Sequence, residues 1–150
     1  TGAEIMQKNM ELLEDISYSP EEISYANTIL SETGKPQIGI DGKLKPLMET
    51  LPATGGSTDV GDVSQVVPII RMSATVDAKN GPWHSWAVVA CTGMSIGHKG
   101  MIYAAKALSM TMADLFKEPK LIEAVKEDYK KNKSPKKYVP RIDPGPPTLD

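Results

Sequence analysis

One cysteine, Cys91, serves a chain of 150 residues. A lone thiol excludes an internal disulfide and any zinc site built on paired thiolates, and it fits a reducing compartment. Charge of one sign is also lacking: 17 Lys and Arg stand against 19 Asp and Glu, a net charge of −2. No global field therefore draws nucleic acid or an anionic membrane, and neither is expected as a partner. No apolar run approaches the roughly 20 residues of a membrane span. The N-terminus has no basic and apolar signal regions, so cytoplasm is the expected location. Internal repeats, a Walker loop, a dinucleotide fingerprint and a serine elbow are all missing. An initiator Met is missing too, and Thr1-Gly2-Ala3 runs straight into helical periodicity, as expected of a piece of something longer.

What is present places the chain in the globular class. With 40% hydrophobic and 24% charged residues, it reads as one soluble domain. Ile5, Met6, Met10, Leu12, Leu13 and Ile16 recur at helical spacing, which predicts a first helix over 4–16. Ser19-Pro20-Glu21-Glu22 is a helix start: a capping hydroxyl, a proline at the first helical position, and a Glu that reaches back to the cap. The second helix is expected from Pro20 to about Glu32, ending at Gly34.

Residues 36–56 lose this periodicity, and Asp41-Gly42 suggests a turn between short apolar stretches at 38–40 and 44–47. The β-branched run over 69–76, closed by the turn-forming cluster 77–82, predicts a strand. A long amphipathic helix is expected from near Ser95 to before Pro119, with Met101, Ala104, Ala105, Leu108, Met112, Leu115 and Phe116 on its apolar side. A last helix starts around Pro119 and carries Leu121, Ile122, Val125 and Tyr129. Prolines at 135, 140, 144, 146 and 147 make the end of the chain neither helix nor central strand. The expected division is a domain over 1–132 and a Pro/Lys-rich tail over 133–150. Helices and a strand in this order suit a mixed α/β layer.

Two strings stand out chemically. Thr54 to Ser64 packs glycines, hydroxyls and the carboxylates of Asp59 and Asp62 into a short space. Successive main-chain N–H groups freed by glycine can nest an anion, although an ordinary loop whose Ser and Asp cap a helix has the same composition. In Trp83-His84-Ser85-Trp86, one imidazole sits between the two tryptophans of the chain. It reads either as a metal ligand held by a second acceptor or as a histidine packed beside aromatics. His98, the other histidine, fits a capping role better than a metal one. Cys91, inside the apolar run 87–91, reads as a buried inert thiol.

Taken together, GGSTDVGDVS (55–64), WHSW (83–86) and GMSIGHKGMIYAAKAL (93–108) resemble the dizinc peptidase, acylase and amidohydrolase family. The resemblance runs from the first helix to about Tyr129. It implies an α/β fold, with this chain as the C-terminal half of a zinc-peptidase-like catalytic domain in which a few strands pack with several helices. It implies that His84 is the last metal-ligating histidine and that Gly56, Ser57 and Thr58 line the substrate pocket and hold a terminal carboxylate. Asp62 matches an Asp of the related amidohydrolases' Glu-Asp-Phe-Ser string, but Gly61 replaces the Glu.

The activity implied is metal-dependent cleavage of an amide bond to an amino acid such as glutamate, in an aminobenzoyl-glutamate-like or N-acyl amino acid substrate. The implied cofactors are two divalent ions, zinc or manganese, in the intact enzyme. The family's first-half ligands and general base have no counterpart here. The isolated chain is therefore expected to be inactive, to bind zinc weakly, and to self-associate or pair with the missing N-terminal half. A rival reading is a non-catalytic carboxylate-binding or assembly module.

Overall fold

The computed structural model describes residues 1–48, 58–140 and 145. Its elements are α1 (Gly2–Leu13), α2 (Pro20–Glu32), α3 (Val60–Ser64), α4 (Trp86–Thr92), α5 (Ser95–Lys117) and α6 (Pro119–Asn132). Among the described residues there is no helix long and apolar enough to cross a membrane.

Local chemistry accounts for the helix limits. At α2 the Ser19 hydroxyl accepts from the Glu22 N–H at 3.3 Å while the Glu22 carboxylate accepts from the Ser19 N–H at 2.7 Å. Both orphan donors are thereby satisfied, and the helix starts at Pro20 as the sequence predicts. It ends before Gly34, whose φ of 66° takes the left-handed turn that glycine adopts at least cost. Helix α1 stops at Leu13, short of the expected Ile16. Glu14 turns left-handed at φ 63°, and the Ile16 N–H is taken by the Gly42 carbonyl at 2.9 Å.

The expected α/β architecture is not what forms. The fold is helical, with neither strand nor sheet among the described residues. A β-branched run favours a pleated, half-buried surface, but it becomes a strand only when a neighbour takes up its N–H and C=O groups. Residues 69–76 lack that neighbour. Instead Ile70 and Met72 pack onto a cluster of Met6, Met10 and Ala107. The Thr75 hydroxyl donates to the Asp41 carbonyl at 2.6 Å, and the Thr75 carbonyl accepts from the Tyr18 hydroxyl at 3.5 Å. The hairpin suggested around Asp41-Gly42 is absent for a similar reason: the Leu44 N–H donates to the Asp15 carboxylate at 2.8 Å, tying this segment to the α1–α2 linker.

Two core clusters result. One joins Ala26, Ile29 and Leu30 of α2 to Ala87 and Cys91 of α4, Ile96 of α5 and Ala78. The other is the Met6, Met10 and Ala107 cluster between α1 and α5. Buried Asn9 crosses the same seam, donating to the Thr111 hydroxyl at 3.2 Å and the Asp114 carboxylate at 2.8 Å. Such satisfied polar groups fix the register of a helix pair.

Candidate functional site

His84 lies in the tight turn that launches α4. The Ser85 hydroxyl donates to the Pro82 carbonyl at 2.6 Å and accepts from the Ala87 N–H at 3.3 Å, capping that short helix. This closure places His84 at φ 56° with its ring exposed. A positive φ is uncommon for a side-chain-bearing residue, although His tolerates it better than most. The flanking indoles do not enclose the imidazole: Trp83 is 68% exposed and Trp86 55%. His84 sits at no strand end, because no strand precedes it among the described residues.

The described residues do not assemble a metal centre around that ring. Among them no group of three or more His, Cys, Asp or Glu side chains could hold an ion. A stable zinc site needs three or four donors, and His84 supplies one.

Of the residues expected to meet substrate, Gly56 and Ser57 lie outside the described residues. Thr58 and Asp62 are exposed. The Thr58 hydroxyl accepts from the Val60 N–H at 3.3 Å, as in an ordinary loop leading into a helix. Asp62 lies in the first turn of α3, and hydrogen bonding to it pushes the Tyr138 phenol up.

Sequence reasoning misses the cleft beside Trp83. It has a volume of about 370 Å³ and is lined by Met10, Asp41, Lys45, Thr75, Asp77 and Tyr103 among others. Burial pushes the Asp77 carboxyl up from its ordinary value, so this group holds a proton more readily than a surface carboxylate. The Asp41 carboxyl is shifted the other way, lowered first by the Lys43 N–H and then by Lys79 and Lys45. The cleft thus offers an apolar floor, two carboxyl groups in different environments and an indole at its rim. The only signal in the sequence is that Asp77 opens a turn-forming cluster, which reads as punctuation.

His98 is exposed on the first turn of α5, and the cap of that helix carries no side-chain hydrogen bond. Cys91 is fully buried and its thiol is pushed up by burial, as the inert-thiol reading expects. The better-built polar site is structural. The Glu22 carboxylate accepts from the Ser95 hydroxyl and the Lys99 ammonium, each at 2.6 Å. The Lys99 bond, then the Ser95 bond, lower its pKa to about 2. Lys99 also stands 5.4 Å from the centre of the Tyr18 ring.

The chain resembles enzymes that hydrolyse amide bonds, and the family resemblance read from its strings stands. It is 33% identical over 87 residues to one subunit of the p-aminobenzoyl-glutamate hydrolase of Escherichia coli (strain K12), covering 58% of this chain and 18% of that protein. It is 32% identical over 88 residues to the Xaa-Arg dipeptidase of Homo sapiens, covering 59% of this chain and 20% of that protein. The chain thus spans about one-fifth of the length of these curated relatives. No family model matches it, and no solved structure matches it significantly.

Proposed function

We propose that this chain is part of an amide-bond hydrolase whose substrate is an N-acyl amino acid or an aminobenzoyl-glutamate-like compound. The observation that carries this reading is the similarity to two relatives whose names describe a hydrolase of aminobenzoyl-glutamate and a dipeptidase. A cleaved bond between an acyl group and an amino acid is common to both.

Within that reading, His84 is one donor to a pair of divalent ions whose other ligands lie outside the described residues. Its ring has the exposure such a role needs, and a residue at an uncommon φ is a reasonable place to look for function. Gly56, Ser57, Thr58 and Asp62 are assigned to the amino-acid end of the substrate, where main-chain N–H groups and hydroxyls would hold a carboxylate and so orient the scissile bond. A metal would supply polarisation of the amide carbonyl and an activated water. The described residues alone do not supply the donors for that step.

A chimera tests this. The matched 87 residues of the E. coli protein are replaced by their counterparts here, and release of glutamate from aminobenzoyl-glutamate is followed. Retained hydrolysis, lost by roughly tenfold or more on His84→Ala, supports the reading. A folded chimera with no hydrolysis, or one indifferent to His84→Ala, contradicts it.

A further inference from the structure

Helix α5 is apolar on two sides. One side carries Ile96, Gly97, Gly100, Ala107 and Thr111, all buried, and packs on α1 and α4. The other carries Met101, Ala105, Leu108, Met112 and Phe116, all exposed, Phe116 at 77%. Their spacings of four, three, four and four residues put them in one arc of about 80°. None of the charged residues of this helix falls in that arc. A helix at the surface of a monomer ordinarily carries one apolar stripe.

The exposed stripe is complementary to itself. When two such helices run antiparallel about an axis between Leu108 and Ser109, Ala105 of one copy faces Met112 of the other, and Met101 faces Phe116. The small Ala105 then lies opposite the larger Met112, and the flexible Met101 thioether lies opposite the Phe116 ring, a favourable sulfur–aromatic pairing. At these exposures the stripe offers on the order of 500 Å² per copy, so joining two removes about 1,000 Å² from water, where specific interfaces begin. We propose that α5 docks antiparallel on α5 of a second copy of this chain, forming a symmetric dimer. The pairing does not depend on the hydrolase reading, and its test involves no substrate.

Sedimentation of the whole chain over about 1 to 200 µM should show a monomer–dimer equilibrium with Kd on the order of 10 µM. Leu108→Lys, which alters an exposed position, should keep the helical circular dichroism and raise Kd at least about tenfold. Ala105→Glu and Met112→Lys should each weaken pairing alone, and an equimolar mixture of the two should form a heterodimer, because the introduced charges then face each other. A monomer at every concentration, expected if a longer polypeptide or another partner covers this face, overturns the proposal. So does association that Leu108→Lys leaves unchanged, or a mixture that fails to pair.

Discussion

Gly97 and Gly100 stand where no side chain fits. A Cβ at Gly97 would run into the main chain of Thr92, and one at Gly100 into the Thr75 carbonyl. Backbone cannot swing aside as a flexible side chain can, so Gly97→Ala and Gly100→Ala should each lower stability by about 1–3 kcal/mol in urea unfolding. Gly61 is the contrast, since its Cβ would meet nothing within 4 Å. Gly61→Ala in helix α3 should be neutral or stabilising by up to about 1 kcal/mol. Equal effects at all three positions would show that backbone approach is not what selects glycine here. Both tight glycines belong to the string GMSIGHKG that carries the family resemblance, so part of that resemblance records the close seating of α5 rather than chemistry.

Glu22 sets a pH dependence. Its carboxyl is held near pH 2 in the folded chain against a usual value of 4.5. A folded pKa below the unfolded one means stability that is fully present above about pH 5 and lost as pH falls through the range to 2. Glu22→Gln should therefore flatten the acid limb of the stability curve between those limits while leaving its slope near neutral pH alone. A curve of unchanged steepness in acid would remove Glu22 as its source.

At the scale of elements, helices are legible where local chemistry is self-sufficient. The α2 start is readable because Ser19, Pro20 and Glu22 act within one turn. Ser19→Ala should cost about 1 kcal/mol by urea unfolding, and no loss would mean that tertiary contacts alone hold this helix end. Helix α5 is readable because its apolar period persists for six turns. Helix α4 is not, since Trp-Ala-Val-Val-Ala-Cys-Thr is too short to display a period, and its cap, Ser85, draws notice only as a neighbour of His84. The strand expected over 69–76 fails for the opposite reason: propensity describes a segment, whereas a strand requires a second one. Ile70 and Met72 do pack one face inward as alternation demands, so the pattern is real, and a partner strand is what is absent among the described residues.

For the whole molecule, the strings point to amide-bond hydrolases as relatives, while the described residues assemble no metal centre. Neither His84 nor Asp62, in the first turn of α3, lines the cleft beside Trp83, and Gly56 and Ser57 lie outside the described residues. Sequence similarity reports shared ancestry of local strings, whereas a metal site is a convergence of donors from distant parts of a chain. His84 is the one ligand proposed among the described residues, because nothing in the string around it encodes where further donors would lie.

The most direct measurement is the metal content and spectrum of the cobalt-substituted chimera with and without His84→Ala. A ligating imidazole predicts that the substitution alters the cobalt absorption bands and weakens one ion by about 10–100-fold. Identical bands and unchanged affinity in the His84→Ala chimera would contradict the account.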